Sequence, residues 1–225
     1  MKKILVISLS AIILLALFAC TDSNNNGEPT STPTTQPPTS SPDGDVTTPQ
    51  PQASGEVVIS LEHVKLAGVA SNQYAVWIED LDGNHITSLY ASRWTANGGF
   101  RTRPDSLALW VKQADPANMT TSQIDAVSGA TPRTGPQTHV WDLTDINGNT
   151  VLQGDYKFFV EGTLRWKNFV IFSGVITIGD DPVTVVADAM FHYEGSGNNE
   201  PLTEDSVENS MITDVTATFI PKENN

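Results

Sequence analysis

The 225-residue chain has a single cysteine, Cys20. One thiol leaves no pair for a disulfide and no set for a thiolate metal site. Basic residues are also scarce: 12 Lys and Arg stand against 26 Asp and Glu, a formal net charge of −14. Such a surface suits neither nucleic acid nor anionic lipid headgroups, and it keeps an exposed domain soluble. No apolar run reaches the roughly 20 residues of a spanning helix. There is no G-x-S-x-G nucleophile elbow, no glycine-rich phosphate loop, no zinc-protease helix and no internal repeat of fixed period. His63, His85, His139 and His192 show no ligand spacing, so no metal site is expected.

What is present begins with export. Lys2 and Lys3 precede an almost wholly apolar stretch, Ile4 to Leu17, the length of a signal-peptide core. It ends in Leu17-Phe18-Ala19-Cys20, which resembles a bacterial lipobox. The resemblance implies that residues 1–19 are removed and that Cys20 carries acyl chains, each buried methylene contributing about 0.8 kcal/mol. The acylated cysteine is then no nucleophile. Processing takes away two basic residues and no acidic one, leaving −16. Residues 20–55 read as this lipidated cysteine followed by a disordered Thr/Ser/Pro-rich tether, too poor in apolar side chains to offset its ordering entropy. The tether would span roughly 30 Å as a coil and about 110 Å in polyproline form. It serves either to give the domain reach or as a spacer through the wall. Thr21 after the cysteine leaves both a periplasmic and a cell-surface position open.

From residue 56 to 222 the texture is that of one domain. Val57, Ile59 and Leu61 alternate with Val58, Ser60 and Glu62, and Tyr74, Val76 and Ile78 alternate with Ala75, Trp77 and Glu79. Asp80-Leu81-Asp82-Gly83-Asn84 then turns the chain into a strand over 85–91. Further strands are expected near 137–142, 155–162, 167–178, 183–193 and 211–220. One helix is expected to start at a Thr102/Asp105 capping pair with Pro104 near its first turn. It would present Leu107, Trp110, Val111 and Ala114 on one face and stop at Asp115-Pro116. The fold class is therefore all-β, an immunoglobulin-like antiparallel β-sandwich with one inserted short α-helix. The segments 80–84 and 142–149 have the acidic composition of calcium loops but lack the distal bidentate glutamate, and they read as hairpin turns. His139 shares a strand face with Trp141 and is expected to be half-buried. The acidic run Glu200, Glu204, Asp205 and Glu208 reads as a solvated loop.

Trp141-Asp142, Asp145, Asn147-Gly148, Gly154 and Tyr156 are similar to the hairpin of immunoglobulin-like domains such as that of flagellar hook-capping proteins. Asn147-Gly148 would supply positive φ for the turn, Gly154 a bulge, and Trp141 and Tyr156 packing. Together with Tyr74 to Asp80, the helix around Trp110, and Asp125 to Thr131, the order of motifs over about 57–165 resembles domain-of-unknown-function family 2271, an exported bacterial family. The resemblance implies a place beside membrane redox proteins and flavin transferases.

Residues 115–136 form a long aperiodic segment, of the kind that is usually functional or disordered. Within it, Asp125-Ala126-Val127-Ser128-Gly129-Ala130-Thr131 resembles the acceptor motif of proteins that carry flavin mononucleotide (FMN) through a phosphoester. The resemblance implies that Thr131 is the acceptor and that Asp125 serves recognition by the transferase or placement of its magnesium. Small Gly129 and Ala130 would give the transferase access, and Gly129 would also let the backbone bend. Ser128 is the alternative acceptor. In better-known flavin carriers the motif runs into a helix, whereas here Pro132-Arg133-Thr134-Gly135-Pro136 leads toward a strand. Trp94, Phe100 and Trp110 are candidates for an aromatic ledge under the flavin ring. The plainer reading is a Ser-Gly turn with a locally bonded threonine. Two functions follow. One is a lipid-anchored extracytoplasmic FMN carrier, an electron-transfer subunit served by a flavin transferase and a membrane redox partner. The other is a non-catalytic immunoglobulin-like binding or scaffolding lipoprotein of the cell envelope. In neither does the chain have an active site of its own.

Overall fold

A strand with apolar residues at every second position buries one face, and two such sheets bury each other. The computed structural model describes residues 50–65, 72–163, 169–192 and 211–223. The export segment, the tether up to residue 49 and the acidic run at 200–208 lie outside the described residues.

The expected antiparallel sandwich is present. The first sheet has the order β5(Gly135–Trp141), β1(Gly55–His63), β10(Ile212–Pro221), β8(Val183–Val186). The second has the order β4(Ser128–Gly129), β3(His85–Ser92), β2(Gln73–Glu79), β6(Gly154–Thr163), β7(Phe169–Ile178), β9(Asp188–His192). Every pairing is antiparallel except β3 with β4. The register of β1 sets the long axis: Gly55 pairs with Pro221 at one end, and His63 pairs with Gly135 at the other.

Between the sheets lie Val57, Ile59 and Leu61 of β1 and Trp141 of β5. Tyr74, Val76 and Ile78 of β2, Phe158 of β6 and Phe219 of β10 pack against them. Fully burying side chains of this size contributes about 1.5–3 kcal/mol each. The hairpin residues behave as their types dictate. Gly148 has φ +81, and the rings of Trp141 and Tyr156 meet edge to face at 5.1 Å. The carboxylates of Asp80 and Asp145 are taken up by the amides of their own turns, so both segments are hairpin turns.

Three features depart from the sequence reading. The ordered domain begins earlier, since Gln52 bridges to Leu152 and the buried Ala53 donates its amide to Val151. The strand expected over 183–193 is two strands. The chain changes sheets at Ala187, so β8 pairs with β10 and β9 pairs with β7. And the insertion after β3 holds more than one helix: α1(Arg93–Ala96), a 3-10 turn over Gly99–Arg101, α2(Ala108–Ala114) and α3(Thr121–Val127).

These short helices cover the outer face of the second sheet. That explains why β2 is buried at all seven positions. Tyr74, Val76 and Ile78 face the sandwich, while Ala75 and Trp77 meet Leu107, Trp110, Ala114 and Ile124 of the insertion. The start of α2 is not the expected Thr102/Asp105 pair. Leu107 precedes the helix in the left-handed region at φ +53, and the free amides of the first turn are satisfied from the neighbouring strand β6. Glu161 accepts from Leu109 at 3.2 Å and from Trp110 at 2.8 Å, and Thr163 accepts from Leu107 at 2.9 Å. A carboxylate belongs at a helix N-terminus. This one is also buried, with 1% of its surface exposed, and burial pushes its carboxyl up to about 7 against the opposing pull of those amides.

Candidate functional site: the acceptor segment and its cleft

The segment expected to be an aperiodic loop contains α3. Thr120 and Gln123 form a reciprocal capping box, with Thr120 Oγ1 accepting from the Gln123 amide at 3.2 Å and Gln123 Oε1 accepting from the Thr120 amide at 2.9 Å. Ile124 is buried in the insertion core and fixes the helix against the sheet. Asp125 then points away from that core, exposed. The motif thus begins inside a helix, with Asp125, Ala126 and Val127 in the last turn of α3, rather than running into one.

After α3, Ser128 and Gly129 pair in parallel with Ala91 and Ser92 at the edge of the second sheet. Gly129 is needed here for close approach. It does not adopt a left-handed conformation, and a Cβ on it would meet Tyr90 Cε2 at 2.3 Å. Tyr90 lies across the segment and donates its hydroxyl to the carbonyl of Ala130 at 3.0 Å. The ladder ends at Gly129, and the next two residues, exposed Ala130 and partly exposed Thr131, belong to no strand. The chain then crosses to the first sheet. The carbonyl of Arg133 accepts from His63 Nδ1 at 3.2 Å, Thr134 Oγ1 accepts from the Lys65 amide at 3.0 Å, and β5 begins at Gly135.

Beneath this crossing sits a cluster of four rings. Tyr74 stacks on Tyr90 at 4.3 Å, its hydroxyl meets His139 Nε2 at 3.1 Å, and the rings of His63 and His139 lie 5.6 and 5.7 Å from it. Burial holds both phenols above the usual tyrosine range. It also pushes His139 down to about 4 and lowers His63, which the nearby Lys65 lowers further. Both imidazoles are therefore neutral at pH 7, and His63 Nε2 has no hydrogen-bond partner. His139 is half-buried on the Trp141 face, as its alternation predicts. Away from this cluster, His85 bonds Ser88 at 2.9 Å, and burial pushes it to about 4. The side chain of His192 lies outside the described residues. Among the described residues no three His, Cys, Asp or Glu side chains gather to hold a metal.

Beside the acceptor segment opens a cleft of about 930 Å³, lined by Arg93, Trp94, Gly99, Thr102, Asp125 and Ser128 among others. Two motif residues and one of the three ledge candidates therefore share one cavity. Trp94 is the second residue of α1, two past the end of β3, and is 47% exposed. Phe100 lines a smaller neighbouring cleft of about 220 Å³. Trp110 is fully buried, with its indole N–H donating to Ser88 at 2.8 Å, and is no ledge. Its apolar face packs on the sheet, where a helix of this amphipathicity puts its largest side chain.

Arg93, Tyr90 and Glu161 are the residues that sequence reasoning missed. A signal existed for the first. Residues 93–133 hold five Lys and Arg against three Asp, a small positive island in an acidic chain. Among the described residues no helix is long and apolar enough to cross a membrane. The family model DUF2271, described as "predicted periplasmic protein", matches residues 55–190. No curated protein and no solved structure matches the chain.

Proposed function

The chain belongs to the DUF2271 family of predicted periplasmic proteins, and on that premise we propose that it is a lipid-anchored extracytoplasmic carrier of covalent FMN. Cys20 is the anchor and Thr131 the attachment point. One observation carries this reading. The D-A-V-S-G-A-T stretch starts in the last turn of α3 and is crossed by Tyr90, and Thr131 is a partly exposed residue just past the last ladder pair.

The residues at hand fit a flavin. A cavity of about 930 Å³ lies within the roughly 300–1,000 Å³ of small-molecule sites. Ser128 on its wall is three residues from Thr131, a reach of at most about 11 Å. When bound, the flavin would supply reversible hydride and single-electron transfer. The chain supplies the hydroxyl, the small neighbours that leave it open, and the exposed carboxylate of Asp125 for recognition by the transferase.

Attachment is a phosphoryl transfer by a separate transferase. Thr131 Oγ1 bonds to the FMN phosphorus of flavin adenine dinucleotide, the diphosphate P–O bond breaks, and AMP leaves. The hydroxyl proton passes to the transferase or to water. The carrier then exchanges electrons with a membrane redox protein within reach of its tether.

Co-expression with a flavin transferase and intact-mass measurement tests this. An FMN adduct is expected in the wild type and in Ser128→Ala, and none in Thr131→Ala. An unchanged wild-type mass beside an active transferase refutes the carrier. It would leave the envelope binding module, whose partner should survive Thr131→Ala in a pull-down.

A further inference from the structure

We propose that the cleft of Arg93 and Trp94 is the noncovalent seat of the flavin's isoalloxazine ring, an inference that rests on Thr131 as the attachment point. Three observations in the structure carry it. The first is the state of Trp94. The other tryptophans among the described residues, Trp77, Trp110 and Trp141, are at most 1% exposed, whereas Trp94, on the cleft wall, is 47% exposed. A large apolar ring left open at a cavity wall is a ready surface for another planar ring.

The second is the support behind that indole. A Cβ on Gly99 would meet Trp94 Cδ2 at 2.4 Å and Cε3 at 2.5 Å. Gly99 lets the indole lie against the backbone of the following turn, which supports it at the cleft wall. An indole that was merely exposed would not need such a bed.

The third is charge and register. The β3–β4 ladder ends at Ser92 paired with Gly129. Arg93 and Trp94 therefore leave one strand where Ala130 and Thr131 leave the other. Arg93 lies in the positive island of an otherwise acidic chain, and it lines the cleft. A planar cation suits the electron-rich, hydrogen-bond-accepting pyrimidine edge of the ring and the negative charge which that edge gains on reduction. Trp94 is a stacking residue and Arg93 a charge partner. Neither is part of the attachment chemistry.

The test uses the mature chain co-expressed with a flavin transferase, as wild type, Trp94→Ala, Gly99→Ala and Arg93→Gln, each checked for fold by circular dichroism. Intact mass reports attachment separately from seating. With the adduct present in all four, a seated ring has flavin emission quenched by the indole and high anisotropy. Trp94→Ala should raise the emission several-fold and lower the anisotropy. Gly99→Ala should do the same in part, by pushing the indole off its bed. Arg93→Gln should leave emission low and shift the midpoint potential negative. If the labelled wild type emits as strongly as its unfolded form and Trp94→Ala changes nothing, the seat is overturned while the carrier stands. Where no adduct forms, riboflavin is titrated into the Thr131→Ala chain. Quenching of tryptophan emission that Trp94→Ala abolishes supports the seat and refutes the carrier, and absence of quenching overturns the seat as well.

Discussion

Replacing Glu161 by Gln should remove one specific component of the pH dependence of stability. Glu161 is a buried carboxyl on β6 that caps α2, with amide contacts of 3.2 and 2.8 Å. Burial raises its pKa to about 7, from 4.5 in the unfolded chain. The folded state therefore holds the proton more tightly, so this group adds stability as pH falls through 7 toward 4.5 and loses it as pH rises. Linkage over that window gives a gain of roughly 2–3 kcal/mol on going from pH 8 to pH 5. His85 and His139, each pushed to about 4, act in the opposite sense. Their folded pKa is depressed, so they weaken the fold as pH drops below 6.5. Because they are the same in both proteins, they cancel in a difference. Urea unfolding of the mature domain at pH 5 and pH 8 gives the required four stabilities. The wild type should gain roughly 2–3 kcal/mol relative to Glu161→Gln on acidification. If the two proteins track each other within about 0.5 kcal/mol, the error of extrapolated urea stabilities, the carboxyl is not raised and the account of its burial is wrong.

Three further outcomes are expected. Gly129→Ala should destabilise the domain by about 1–3 kcal/mol in urea unfolding, because Tyr90 is pinned by its stack on Tyr74 and cannot yield to the new methyl. Tyr90→Phe removes the hydroxyl's contacts to the carbonyls of Gly129 and Ala130, should cost only about 1 kcal/mol and should leave α3 in place, read by unfolding and circular dichroism. Cys20→Ala, expressed with its leader, should move the protein from the detergent phase to the aqueous phase in a cloud-point partition.

The strands were legible because each runs long enough to show its period. The alternation at Val57, Ile59 and Leu61 and that at Tyr74, Val76 and Ile78 both place the sandwich core correctly. The second layer was hidden. Trp77 sits at a position that reads as solvent-facing in a one-sided strand, and only the insertion packing above it explains an aromatic there. α3 escaped notice because seven residues make two turns, too few for a helical period to stand out from a polar loop. The cap on α2 could not be read locally at all. It comes from Glu161, 51 residues away along the chain from Trp110, while Thr102 and Asp105 offered a plausible but unused pair. For the candidate acceptor segment, the motif residues, and Trp94 among the ledge candidates, could be read from the sequence. Tyr90 and Arg93 come to it only through the parallel ladder of β3 and β4.

The pairing of β1 has an orientational consequence. Gly55, where the first strand starts, sits opposite Pro221, whereas the crossing that carries Thr131 runs into Gly135 opposite His63. The nine residues of β1 separate these poles by roughly 26 Å. The described chain thus enters the sandwich at its foot, and Thr131 stands near the opposite crown, so the two can be altered independently of each other.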